Sequence, residues 1–183
     1  IDSSKSEVML AAAAAGVDMI NDVWALRREG ALEAAASSGL LVCLMHMQGE
    51  PDSMQVNPEY RNVVEEVKDF LLDRVDVALS AGINEQNIVL DPGFGFGKSL
   101  TQNLQLLKAL SSFKTLGFPL LVGLSRKSML GLILDKPVNQ RLVGSLSAAV
   151  ISAMFGANII RVHDVAETKD ALAVVQAMLQ TSQ

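Results

Sequence analysis

Residues 87–98 read NIVLDPGFGFGK. A short apolar run, Asn87 to Asp91, ends on a carboxylate, and three alternating glycines (Gly93, Gly95 and Gly97) follow it. This pattern predicts a buried strand that delivers a charged group to a glycine loop, where backbone without Cβ atoms can approach a ligand closely. The same grammar recurs along the chain. Val17 to Val23 carries Asn21-Asp22, Leu40 to Met45 leads into His46, Pro119 to Leu124 leads into Ser125 and Lys127, and Asn158 to Val162 carries Arg161 and leads into His163. Ile1-Asp2 reads as the tail of one more strand. Between these runs lie helical stretches over Ser4–Ala15, Glu29–Ser38, Thr101–Phe113, Lys127–Leu134, Arg141–Phe155 and Ala166–Gln180. A longer helix opens at Asn57-Pro58 and ends at Gly82, with Val63, Val64, Val67, Phe70, Leu71, Val75 and Leu79 at helical spacing. Ser4, with Glu7 three residues on, has the form of a capping box.

Strands that alternate with helices imply an α/β fold with a parallel sheet and right-handed crossovers. Two architectures compete. Five strands and a tail suit an open doubly wound sheet, and a complete eight-stranded barrel typically needs about 250 residues. The polar residues argue for the barrel. They stand at nearly every strand end, and a barrel converges all its strand ends on one site, whereas an open sheet offers mainly its switch point. The expectation is a (β/α)8 TIM barrel that is N-terminally truncated: about five βα units and the end of a preceding strand, forming one partial domain over residues 1–183. Its free edges would be Ile1-Asp2 and the strand Asn158–Val162.

Composition narrows the class. Half of the 183 residues are hydrophobic and only 4% are aromatic, so the core is aliphatic. A net charge of −5 offers no global basic field for nucleic acid. The single cysteine, Cys43, lies inside an apolar run and reads as a small buried hydrophobe; it excludes an internal disulfide and a multi-cysteine zinc site. No apolar stretch approaches the ~20 residues of a membrane span. The opening Ile1–Lys5 lacks the basic-then-apolar order of a signal peptide, so the cytoplasm is the expected compartment.

Five segments can carry chemistry. Asp91-Pro92-Gly93-Phe94-Gly95-Phe96-Gly97-Lys98 fits neither common glycine motif: Pro92 stands where the Walker pattern needs glycine, and Lys98 where the dinucleotide pattern does. Asp91 has no evident structural partner; the alternative is a plain βα loop after a buried aspartate. In Gly123-Leu124-Ser125-Arg126-Lys127-Ser128, Gly123 leaves room for a flat ligand and Lys127 projects over the strand ends, while Arg126 is either part of this group or a solvated surface charge. Alternation puts Arg161 and His163 on one side of their strand, a cradle for phosphate or diphosphate. The alternative for Arg161 is pairing with an acid at a barrel rim. In Leu44 to Gly49, Met45 can flank an aromatic ring, and His46 reads as structural before catalytic. Asn21 offers a donor and an acceptor to a heterocycle edge. The set fits a polar heterocycle carrying a phosphate leaving group.

Four of these segments in order, LMHMQGEP (44–51), LDPGFGFGK (90–98), GLSRKS (123–128) and IIRVHDV (159–165), resemble the signatures of the dihydropteroate synthase family. Asp2-Ser3-Ser4-Lys5 resembles its strand-end Asp-Thr-Ser-Lys, and Ile20-Asn21-Asp22 its next strand. The resemblance implies a transferase of folate biosynthesis and a sulfonamide target. It would condense 6-hydroxymethyl-7,8-dihydropterin diphosphate with p-aminobenzoate after ionisation of the pterin substrate. It implies that Asp91 pairs with the amino-pyrimidine edge, that Asn21 and Asp2 bind other ring nitrogens, and that Lys127 reaches the ring carbonyl. Met45, Val23 and Phe96 would be walls with Gly123 beneath, Arg161 and His163 would hold the diphosphate, and Ser125 would lie on the p-aminobenzoate side. It also implies Mg²⁺ as cofactor and a homodimer. Family members begin earlier, with two further strands and most of a third. That part carries an asparagine that helps to bind Mg²⁺ and two mobile loops, so no metal ligand is expected within residues 1–183 and this chain alone is expected to be inactive. Two other readings are a methyltetrahydrofolate:corrinoid methyltransferase, which needs no diphosphate pair, and a non-catalytic barrel fragment.

Overall fold

The computed structural model describes residues 1–49 and 58–181. Its elements are α1 (Ser6–Ala14), β1 (Met19–Asp22), α2 (Ala31–Ser38), β2 (Leu41–Met45), α3 (Val63–Ser80), β3 (Ile88–Asp91), α4 (Leu100–Lys108), β4 (Leu121–Val122), α5 (Ser128–Leu134), α6 (Leu142–Met154), β5 (Ile159–Ile160) and α7 (Val165–Gln180). The strands run parallel in chain order. The stub at Asp2 bridges to Asn21, β1 pairs with β2, β2 with β3, Leu90 of β3 bridges to Leu120 just before β4, and β4 pairs with β5. A doubly wound sheet would reverse its order at a switch point, whereas barrel staves follow the chain without reversal. The two edges also meet: Arg161 after β5 donates from Nη2 to Asp2 Oδ2 at 2.7 Å, across 159 positions of sequence. A sheet so curved is an arc of a TIM barrel.

Period two explains which side chains face where. Ile20, Val42, Leu44, Ile88, Leu90, Leu120 and Val122 point outward and join the helices in the main core. Cys43, Val89 and Leu121 point inward and pack with Met19 and Ile159. The even positions therefore seat the helices, and the odd positions fill the barrel interior. Cys43 is one of the latter, and burial pushes its thiol pKa well up, with Asp91 and Asp2 adding to the rise and Arg161 opposing it.

Several boundaries differ from the sequence reading. Ser4 does not cap α1. Its hydroxyl donates instead to Asp22 Oδ1, and α1 starts after Lys5 without a side-chain cap. The long helix begins at Val63, because Asn62 Oδ1 accepts from Val64 and Glu65 N–H, and Glu66 Oε1 accepts from Arg61 and Asn62 N–H at 2.7 and 2.8 Å. This reciprocal satisfaction of the first-turn donors fixes the start; Asn57 lies outside the described residues. The run Thr101–Phe113 splits into α4, capped by the Ser99/Gln102 box, and a 3-10 stretch over Leu110–Leu116. The last two strands are shorter than their apolar runs.

Candidate active site

The inward, odd-numbered rows continue past the apolar layer to the strand ends, where they deliver Asn21, Met45, Asp91, Gly123 and Arg161 to one mouth. Asp91 does have a structural partner, contrary to the sequence reading: Gly93 N–H donates to its Oδ1 at 2.7 Å. Burial pushes its carboxyl up, and Lys127, the Gly93 N–H, Lys98 and Arg161 oppose that rise. Lys127 stands just before α5, without capping it, and turns back over the site. Its ammonium donates to the Phe94 carbonyl and lies 4.7 Å from the Phe96 ring centroid. Burial holds Lys127 down at about 8, with Asp91 raising and Arg161 lowering it.

Asn21 is buried, and among the described residues its Oδ1 has no hydrogen-bond partner. A buried amide oxygen left unsatisfied is costly unless something else donates to it. It shares a cavity of about 540 Å³ with Asp2, Met19, Leu121 and Arg161. Next to it, a cavity of about 190 Å³ is lined by Gly123, Ser125, Lys127, Arg161, Val162 and His163. Arg161 is common to both. Ser125 Oγ accepts from His163 N–H at 3.2 Å and lies 3.0 Å from His163 Nδ1. Arg161 carries the rim pairing weighed as an alternative, yet it also lines the cavity with His163; the partners in its ion pair are both substantially exposed. At Gly123 a Cβ would sit 3.8 Å from Arg161 Cβ, ordinary contact, so packing within the protein does not demand glycine there. Met45 is buried at the end of β2 beside Gly93, and Val23 is half-buried just past β1.

The glycine loop serves a different purpose from the one its sequence suggests. A Cβ on Gly93 would collide with the His46 carbonyl oxygen, and one on Gly97 with that of Gln48. Both residues have positive φ, 69° and 63°. These glycines let the loop press on the backbone that follows β2. Only Gly95 faces the site, where a Cβ would stand 3.3 Å from Lys127 Cδ.

Four polar residues hold structural roles that the sequence did not assign to them. Asp22, fully buried, accepts from Trp24 and Leu26 N–H at 2.9 and 2.8 Å and from Ser4, holding a turn in which Ala25 and Leu26 have φ of 50° and 59°. Lys98 is 3% exposed and donates to the Gly93 and Phe96 carbonyls. Asn103 Oδ1 accepts from Gly95 N–H at 2.7 Å. Asp164 takes Arg126 in a two-pronged pair, Nε to Oδ2 at 3.0 Å and Nη2 to Oδ1, so Arg126 links the β4 and β5 loops while its side chain stays partly exposed to solvent. That hydrogen bonding raises the Arg126 pKa and lowers that of Asp164. Asp164 stands at the N-cap position of α7 but makes no side-chain cap; its carboxylate is used on Arg126. His46 has an even number and faces the helices, edge-on to Phe70 at 4.9 Å.

The profile of the family described as "Pterin binding enzyme" matches residues 1–163. The curated dihydropteroate synthase of Haemophilus influenzae is 55% identical over 177 residues, covering 97% of this chain and 64% of the relative. That of Escherichia coli is 50% identical over 183 residues, covering 100% and 65%. The chain thus spans just under two thirds of the length of these relatives. Among solved structures, the dihydropteroate synthase of Stenotrophomonas maltophilia with active site-bound imidazole superposes with TM-score 0.98 at 49% identity, covering 100% of this chain and 69% of that one. The Yersinia pestis dihydropteroate synthase in complex with a sulfonamide drug superposes with TM-score 0.97 at 49% identity, covering 98% and 66%. With the strand order, the curved sheet and the convergent polar mouth, these likenesses show that the chain belongs to the pterin-binding enzyme family, among the dihydropteroate synthases.

Proposed function

We propose that this chain supplies the pterin and diphosphate half of a dihydropteroate synthase site, for the reaction of 6-hydroxymethyl-7,8-dihydropterin diphosphate with p-aminobenzoate. The observation that carries the reading is the buried Asn21 Oδ1, without a partner among the described residues, on a residue that lines one cavity with Asp2 and Arg161, while Arg161 also lines the adjoining cavity with Lys127 and His163. An amide oxygen and a carboxylate suit the N–H groups of an amino-pyrimidine, and an ammonium suits its carbonyl. The Asp91 carboxylate takes two N–H groups of the ring edge while Asn21 and Asp2 take the remaining ring nitrogens, with Met45, Val23 and Phe96 as walls. Arg161 and His163 hold the leaving diphosphate, and Ser125 orients His163. The carbon–oxygen bond to diphosphate breaks, positive charge develops on the pterin methylene, and the aryl amine nitrogen bonds to that carbon and releases a proton. A fixed anion cradle on one side and a carboxylate on the other favour that charge separation. Structures of the Xanthomonas albilineans dihydropteroate synthase hold 7,8-dihydropteroate and 4-aminobenzoic acid, which supports the substrate pair.

Mg²⁺ belongs to this proposal as a companion of the diphosphate. The ion would be held chiefly by the diphosphate oxygens, and no step is routed through it. A homodimer and a cytoplasmic site of action belong to the same proposal; no helix among the described residues is long and apolar enough to cross a membrane. The test is a titration of the protein with a pterin and with inorganic diphosphate, followed by an assay of pteroate formation with Mg²⁺. Binding of both ligands in the micromolar range is expected. Binding of neither would refute the reading.

A further inference from the structure

The geometry points to Lys98 and His46 as positioning residues for the pterin: a buried clamp that sets the loop 93–97 and, through it, Phe96, Lys127 and Asp91. This inference rests on the functional reading above. Lys98 Nζ lies 2.8 Å from the Gly93 carbonyl oxygen, 3.0 Å from that of Phe96 and 2.9 Å from His46 Nδ1. Three acceptors use all three hydrogens of an ammonium. His46 must then be neutral at Nδ1 with its proton on Nε2. Its burial, with the Lys98 charge beside it, holds the imidazole down at about 2.

Among the described residues no carboxylate forms an ion pair with Lys98. A buried cation without one is expensive to keep, and an aliphatic side chain would fill the space more favourably. What the cation supplies is a donor for two loop carbonyls that otherwise point into the interior. Every part of the loop so held has a consequence at the mouth. Phe96 N–H donates to the Gly93 oxygen at 3.1 Å, Gly93 N–H donates to Asp91, and Lys127 hangs on the Phe94 carbonyl and over the Phe96 ring. His46 belongs to the backbone stretch against which Gly93 is pressed. The clamp makes no contact with Arg161, His163 or Ser125. Its one link to the diphosphate side is Lys127, which also lines the cavity of Arg161 and His163, so its effect falls mainly on the pterin side of the site.

The test measures affinity for 6-hydroxymethylpterin and for inorganic diphosphate by calorimetry in the parent, K98M, H46F, H46N and K98M/H46F, with folding checked by circular dichroism. K98M and H46F are expected to weaken pterin binding tenfold or more and to leave diphosphate within twofold. H46N, whose amide oxygen takes the place of Nδ1, should recover most of the pterin affinity, and the double variant should match K98M. Unchanged pterin affinity in folded K98M, or equal losses for both ligands, would overturn the clamp. If K98M does not fold, the contrast between H46N and H46F decides, and equal pterin affinities in that pair overturn the proposal. A parent that binds diphosphate and no pterin would instead refute the functional reading, and the substrate role of the clamp with it.

Discussion

Asp91→Asn separates recognition from stability. The carboxylate is nearly inaccessible, and its Oδ1 is already committed to Gly93 N–H at 2.7 Å. An asparagine can keep that bond through its own oxygen, but it then presents an NH₂ group to the donors of the pterin edge. The ring loses a charge-assisted hydrogen bond and meets a donor facing a donor. Hydrogen bonds to charged groups contribute about 1.5–3 kcal/mol each, so the expected loss is about 3 kcal/mol, roughly a hundredfold in pterin affinity. Stability should move far less. Removal of a carboxylate whose burial already pushes its pKa up offsets the electrostatic support it gives to Lys98 and Lys127. A change within about 1 kcal/mol is expected in urea denaturation. The assay pairs a calorimetric pterin titration with that denaturation curve. Affinity within threefold of the parent, or a stability loss as large as the binding loss, would refute Asp91 as the pterin anchor.

Three further outcomes follow from the same geometry. Arg161→Ala and His163→Ala should weaken diphosphate binding more than binding of the bare pterin, and equal losses for the two ligands would return both residues to a structural role. Asp22→Ala should destabilise the fold by about 2–4 kcal/mol, because Trp24 and Leu26 N–H lose their acceptor in a turn that holds two positive φ angles; a midpoint shift worth under 1 kcal/mol in chemical denaturation would contradict that. Burial sets Lys98 at about 7 against 10.5 in the unfolded chain, so the unfolded state holds the extra proton between those values. Stability should therefore rise with pH through that window, by on the order of a few kcal/mol from this group. The rise should shrink in K98M, where Lys127 still contributes in the same sense; an unaltered slope would show that Lys98 does not titrate there.

Much of this molecule is legible without coordinates. Alternating apolar runs and helical spacing report on neighbours at i+2, i+3 and i+4, and those relations survive in any fold that uses the segment. That is why the strands before Asp91, Ser125 and Arg161, and the polar residues at their ends, stand out in the sequence. Which end residue enters the mouth is a different matter. Asn21 and Asp22 are adjacent and both polar, yet period two turns the first into the barrel and the second against the helices, where it holds a turn. His46 and Met45 divide in the same way. The glycines of residues 93–97 look made for a ligand, and only the packed backbone after β2 shows that two of the three are there for His46 and Gln48. The partners of Lys98 lie 2 to 52 positions away, those of Asn103 lie 4 to 8 away and that of the Asp164 carboxylate lies 38 away, and no helical or strand periodicity announces them. The pairing of Asp2 with Arg161 spans 159 positions, and the curvature of the sheet alone brings it about. Local periodicity is set by the nearest few residues of the chain; contacts of this second kind exist only once the strands have been laid side by side and bent.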